Sequence, residues 1–326
     1  MAIQWFPGHM NVTRKAIAER VKDIDVVLEL LDARLPGSSA NPMLAELTAG
    51  RPTLKILNKQ DLADPTCTTA WLDHYNAQSG TRALALDASQ TTHRQAIIDA
   101  CHTLSPLRGG MAKPMRVLAC GVPNVGKSTL INTLSAKRQA KTGDEAGITK
   151  LEQRITLADD FYLYDTPGML WPRILVDKSG YFLAASGAIG RNAYDDEEVA
   201  LELLAVLKRD YAGLLEARFK LKGVAAMADE DLLAEVGRQR GALLGRGRVN
   251  LQKAAEIVMH EFRSATLGRI TLETPEEFAQ WVADAQKLEA ERAAIKEART
   301  RERKGQRREA AAPDGSGGDG TPPRAT

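Results

Sequence analysis

The sequence predicts an α/β chain: a six-stranded, mostly parallel sheet followed by a smaller all-helical domain. Three observations carry this reading. Short apolar runs alternate with longer amphipathic ones, which is the rhythm of a parallel sheet flanked by helices. Six such runs fall before residue 170, and after about Leu175 helical periodicity replaces them. A length of 326 residues also suits two domains better than one.

In chain order the expected strands are residues 25–31 (DVVLELL), 53–57 (TLKIL), 83–86 (ALAL), 116–120 (RVLAC), 153–157 (QRITL) and 161–164 (FYLY). Helical patterns lie between several of them, at 12–21, 68–77, 92–104 and 127–135. The stretch 105–114 (SPLRGGMAKP) is rich in Gly, Pro and Lys and reads as a surface connector. Further helices are expected at 195–211, 229–243 and 251–266, with one weak strand-like run at 269–272. Asp195, Asp196, Glu197 and Glu198 put negative charge where a helix N-terminus favours it. The expected division is 1–175 for the sheet domain, 176–286 for the helical domain, 287–309 for a basic helical extension and 310–326 for a tail. Residues 287–308 carry nine Lys or Arg against four Glu. The tail (AAAPDGSGGDGTPPRAT) has too little apolar surface to bury and is expected to be disordered.

Composition excludes several classes. A chain 44% hydrophobic and 26% charged has an ordinary soluble balance, and its net charge of +2 points to no partner by itself. No run of about 18 apolar residues exists to span a membrane. Cys67, Cys101 and Cys120 lack metal or redox spacing, and the N-terminal residues lack the layout of a signal or transit peptide. A cytoplasmic protein, monomeric when free, is the expectation.

The sharpest motif is Gly121-Val122-Pro123-Asn124-Val125-Gly126-Lys127-Ser128, which fits G-x-x-x-x-G-K-[ST] between an apolar strand and a helical pattern. Its alternative, a plain glycine-rich turn, does not explain that context. In such a loop the backbone N–H groups of residues 124–129 cradle phosphates and Lys127 reaches the outer oxygens. Ser128 offers its hydroxyl to Mg²⁺, and Thr129 follows at the head of the helix. Asp165-Thr166-Pro167-Gly168 follows the strand 161–164, where the carboxylate can hold Mg²⁺ through water and the Gly168 N–H can meet a γ-phosphate. Asn58-Lys59-Gln60-Asp61 follows the strand 53–57. A carboxylate at Asp61 can accept from both N1–H and the exocyclic amine of guanine, a donor pair that adenine lacks. Taken singly, the last two motifs also read as ordinary turns. Together, at three strand ends, they select GTP and GDP over adenine nucleotides. Thr149 is placed either to join the Mg²⁺ shell or as a plain loop threonine. Residues 85–89 (ALDAS) occupy the place of the loop that touches the guanine oxygen, with no contact assigned.

The guanine motif precedes the phosphate loop, the reverse of the common order. Three strands before the loop and three at or after it still make one complete sheet, with 105–114 bridging the former chain ends. This is a circularly permuted P-loop GTPase domain, tolerable because domain termini lie at the surface and close together. The chain leaves the site just after Gly168 and enters the helical domain, so a nucleotide-driven reorientation of that domain is expected.

At this point the sequence resembles the YlqF/RbgA group of circularly permuted GTPases. The resemblance rests on the permuted order, Trp5-Phe6-Pro7-Gly8-His9-Met10, Asp32-Ala33-Arg34, Ser38-Ser39-Ala40-Asn41-Pro42, the phosphate loop, Phe262-Arg263 and Gly268-Arg269-Ile270. It covers about residues 1–275. It implies assembly of the large ribosomal subunit, with GTP hydrolysis accelerated by the particle, and a subunit precursor with its rRNA as partner. Met169 stands where many GTPases place a water-orienting glutamine. By spacing alone His9 is a surface loop histidine; the resemblance implies that it acts in hydrolysis. The resemblance likewise implies that Asn124 helps bind K⁺, the alternative being that it only shapes the loop. Basic residues at 287–308 suit a phosphate backbone, the alternative being charges paired along a solvated helix, and Arg238, Arg240, Arg246, Arg248 and Lys253 near one inter-helix turn suit an RNA-facing surface. The remaining functional alternative is a regulatory GTP-dependent switch for RNA or protein, without a ribosomal client.

Overall fold

The computed structural model describes residues 3–110, 112–135 and 153–310. All six expected runs form strands: β1 (Val26–Asp32), β2 (Thr53–Asn58), β3 (Thr81–Leu86), β4 (Met115–Gly121), β5 (Gln153–Ala158) and β6 (Phe161–Asp165). They make one sheet in the order β3-β2-β1-β4-β6-β5. Every neighbouring pair is parallel apart from β5, which runs antiparallel to β6.

Burial on both faces explains why the central strands read as continuous apolar runs. All seven residues of β1 are buried, including Glu29. A charge inside such a strand requires a partner, and Lys55 supplies it from the register-matched position of β2, 2.6 Å away. The connector required by the permutation is tied down near its middle. Arg108 Nε lies 2.8 Å from Asp25 Oδ1, and Gly110 N donates to Asp160 Oδ2 at 2.8 Å. Because β4 lies between β1 and β6, the carboxyl ends of β1, β2, β4 and β6 gather at one edge. Ligands bind parallel α/β sheets at such an edge, beside the point where strand order reverses.

Beyond β6 come helices Asp177–Ser186, Asp196–Asp210, Ala212–Phe219, Asp229–Gln239 and Leu251–Arg263. Two of these are absent from the sequence reading. Asp177–Ser186 buries most of its surface, including Phe182, Leu183, Ala184 and Ala185, and so shows no polar–apolar period. Ala212–Phe219 has only eight residues and follows Asp210 after a single intervening residue. The helix expected over 229–243 stops at Gln239, because Gly241 turns left-handed with φ 69°. The weak run at 269–272 is not a strand. It is an irregular strap whose backbone and side chains bond to loops at the sheet edge rather than to a neighbouring strand.

Residues up to Ala279 form one compact unit, and those from Gln280 onward a second. In the second, the helix Pro275–Ala310 continues, with Leu288 and Ile295 exposed. Among the described residues no helix is long and apolar enough to cross a membrane.

Candidate nucleotide site

The phosphate loop owes its shape to three residues. Gly121 ends β4 with φ 156°, and a Cβ there would stand 2.6 Å from the carbonyl of Leu30. Asn124 and Gly126 both take positive φ, 56° and 99°, which turns successive N–H groups inward as an anion-binding concavity. The helix Lys127–Ser135 starts directly afterwards and adds the positive end of its dipole. Val125 is buried, Ser128 half-buried and Thr129 exposed.

Lys127 is buried, with Nζ 3.1 Å from Asp165 Oδ1. Burial raises the pKa of the Asp165 carboxyl, and the Lys127 charge opposes that only in part. Its other oxygen, Oδ2, is buried and has no hydrogen-bond partner among the described residues. Buried carboxylate oxygens are ordinarily satisfied. An orphaned one on the carboxylate that pairs with Lys127 therefore fits a divalent cation held directly or through water. Thr149 lies outside the described residues.

The chain after Asp165 is held against the phosphate loop. Thr166 Oγ1 donates to Ala119 O at 2.8 Å, and Met169 N donates to Gly121 O at 3.1 Å. A Cβ on Gly168 would come within 2.8 Å of Pro123 Cα, so only glycine allows this approach. Met169 is fully buried, and its carbonyl accepts from Asn41 Nδ2 at 2.8 Å. It therefore cannot face a reacting water.

Asn58 and Lys59 bring the 58–61 loop to the same place. Asn58 Nδ2 donates to Val125 O at 2.7 Å, while its Oδ1 accepts from Ala88 N at 2.9 Å. One amide thus joins the 58–61 loop, the phosphate loop and the 85–89 loop. Lys59, with φ 63°, donates from Nζ to Asn124 O at 3.0 Å and to Asp32 Oδ2 at 2.9 Å. Asp61 is exposed on the short turn Gln60–Leu62.

Residues that sequence reasoning did not assign complete the frame. Asp32, at the end of β1, bonds Arg34 Nε and Nη2 at 2.9 and 2.8 Å, and Lys59. Burial pushes its carboxyl up, but the two cations outweigh this and hold it well below the usual carboxylate range. Asn124 Nδ2 donates to Gly187 O at 2.8 Å, linking the phosphate loop to the end of the helix Asp177–Ser186. The sequence signals for this layer were charges at Glu29 and Asp32 in an otherwise apolar strand and the Asp32-Ala33-Arg34 motif, neither of which assigned a partner.

His9 is exposed in the first turn of the helix Gly8–Arg20, and its backbone carbonyl accepts from Thr13. The basic group near the inter-helix turn divides. Arg240 stacks on Phe219 and pairs with Glu261 at 2.9 Å, so it is spent internally. Arg238 and Lys253 pair with Glu235 and Glu256 within their own helices. Arg246 and Arg248 are exposed on the turn, beside exposed Leu243 and Leu244.

A family model described as 50S ribosome-binding GTPase matches residues 116–230, from β4 onward. Ribosome biogenesis GTPase A of Bacillus cereus is 40% identical over 296 residues, spanning 89% of this chain and 99% of that protein. The protein of the same name from Priestia megaterium is 41% identical, over 86% of this chain and 99% of its own. Mitochondrial ribosome-associated GTPase 1 of mouse is 31% identical over 83% of this chain and 90% of that protein. Among solved structures, GDP-bound YlqF superposes with a TM-score of 0.60 at 23% identity, covering 80% of this chain and 99% of that one. At that identity the likeness speaks for the fold.

Proposed function

Because the chain belongs to the ribosome biogenesis GTPase A family and is a GTPase, we propose that it hydrolyses GTP to GDP and phosphate as an assembly factor for the large ribosomal subunit, stimulated by that particle. The observation that carries the nucleotide side is the pair of bonds from Asn58 and Lys59 to the carbonyls of Val125 and Asn124. They put the guanine loop and the phosphate loop, 67 residues apart, at one sheet edge.

In this reading Asp61 accepts from the guanine edge, with Asn58 and Lys59 shaping its loop. The N–H groups of Asn124, Val125, Gly126, Ser128 and Thr129 hold phosphate oxygens, and Lys127 transfers its charge from Asp165 to the outer phosphates. Ser128, Thr149 and, through water, Asp165 would hold Mg²⁺, which would neutralise phosphate charge, while Gly168 N–H meets the γ-phosphate. Asn124 would help hold K⁺ beside the phosphates, whose charge would serve where an arginine finger otherwise acts. With Met169 turned inward, His9 orients the attacking water. The exposed Arg246 and Arg248 and the basic residues of 287–308 meet rRNA phosphates in the cytoplasm.

Turnover measured with and without purified large subunits tests this directly. The particle is expected to raise the rate of the wild-type protein. In His9→Ala, GTP binding persists and stimulated turnover falls by about 100-fold, the scale of a lost proton-transfer or water-positioning group. A rate indifferent to the particle removes the ribosomal client and leaves a GTP-dependent switch. Full stimulated turnover in His9→Ala removes His9 from the reaction.

A further inference from the structure

We infer that Arg269, outside the nucleotide motifs, is a specificity-positioning residue that sets the carboxylate of Asp61 against the guanine edge; this rests on the reading of Asp61 given above. Asp61 sits on a turn of three residues whose own bonds are few, Leu62 N to Lys59 O at 3.0 Å and Ala63 N to Gln60 O at 3.3 Å. A carboxylate on such a turn is placed only as well as the backbone beneath it.

That backbone is gripped from the far end of the compact unit. Gly268, with φ 120°, turns the chain out of the preceding helical segment and into the strap. Arg269 Nη2 then donates to Gln60 O at 2.9 Å, and its Nε donates to Ala63 O at 2.8 Å. Ile270 N donates to Leu62 O at 3.0 Å, and Thr271 Oγ1 accepts from Asp64 N at 3.1 Å. The backbone on both sides of Asp61 is thereby tied to three consecutive strap residues.

The three ties differ in kind. Ile270 and Thr271 are buried and anchor the strap itself, while Arg269 is exposed at the rim. Its planar fork spans two carbonyls that straddle Asp61, which the point charge of a lysine cannot do. Removing the fork therefore loosens the turn without unseating the strap. The consequence is selective. Recognition of the guanine 2-amino group suffers, whereas the phosphate loop makes no bond to Arg269 among the described residues.

The test compares equilibrium affinities of the full chain for GDP and for inosine diphosphate, which lacks the 2-amino donor, alongside thermal melting. In Arg269→Ala, GDP affinity is expected to fall about tenfold, the worth of one misplaced charge-assisted hydrogen bond. Inosine diphosphate weakens less, so the preference for guanine narrows, and melting without nucleotide stays near wild type. Arg269→Lys falls between. Asp61→Asn, measured in parallel, separates the two ideas. If Asp61→Asn leaves the preference intact, the reading of Asp61 itself fails. If Asp61→Asn abolishes the preference while Arg269→Ala leaves the ratio unchanged, or weakens both nucleotides equally, Arg269 is a structural strut and the inference is overturned.

Discussion

Glu273 is a carboxyl with almost no exposed surface, and no cation pairs with it among the described residues. Ser38 donates to it from both N and Oγ, and Ser38 Oγ also lies 2.8 Å from Ser179 Oγ. Burial raises its pKa from 4.5 to about 7, against those hydrogen bonds. The folded protein thus holds this proton more tightly than the unfolded chain does. Stability from this group is full below about pH 4.5 and declines as pH rises towards 7, by about 3 kcal/mol at most. Glu273→Gln keeps an acceptor for Ser38 N and cannot ionise. Its unfolding free energy, measured by urea titration between pH 5 and 7.5, is expected to vary less with pH than that of wild type. Parallel pH profiles for the two proteins would exclude this group as the source. Nothing in the sequence singled out Glu273, because burial is a property of the surrounding fold.

At the scale of elements, the segment from Asp32 to Asn41 does more than connect β1 to the next helix. Arg34 is 1% exposed, fills the space over the Phe262 ring and donates to Phe262 O at 3.2 Å. It also neutralises Asp32, which in turn orients Lys59 under the phosphate loop. Arg34→Met retains the packing but leaves a buried carboxylate with one cation instead of two. Loss of one partner from a buried ion group costs about 3–5 kcal/mol. Chemical denaturation should show a drop of that order, and a change below about 1 kcal/mol would mean that Lys59 alone satisfies Asp32. The elements themselves were largely legible, since every strand announces itself by an apolar run and the amphipathic helices by their period. The helix Asp177–Ser186 was not, because burial on most sides removes the polar face that periodicity detects.

Across the whole molecule, the phosphate loop is bonded to the helical region through Asn124 and Gly187, and the segment after Asp165 is bonded to the 32–41 loop through Met169 and Asn41. If the γ-phosphate engages Gly168 as proposed, it acts on a segment bonded through Met169 to the 32–41 loop. Sedimentation of a cell extract is expected to carry the protein with large-subunit precursors in a slowly hydrolysed GTP analogue and to release it in GDP. Equal association in both states would uncouple the nucleotide from the partner surface.

Contiguous residues by themselves determined the phosphate loop, the six strands and the permuted order. Glycine placement, side-chain alternation and helix starts are local properties, and three motifs at strand ends have only one sheet edge at which to meet. Only the tertiary structure decided which partners those motifs have. Asn58 finds Val125 across 67 residues, Arg269 finds Ala63 across 206, and Glu29 finds Lys55 by strand register. Those pairings depend on where the folded chain excludes water, since an unpaired polar group costs most where water cannot reach it. That boundary is set by all the elements together and by none of them alone.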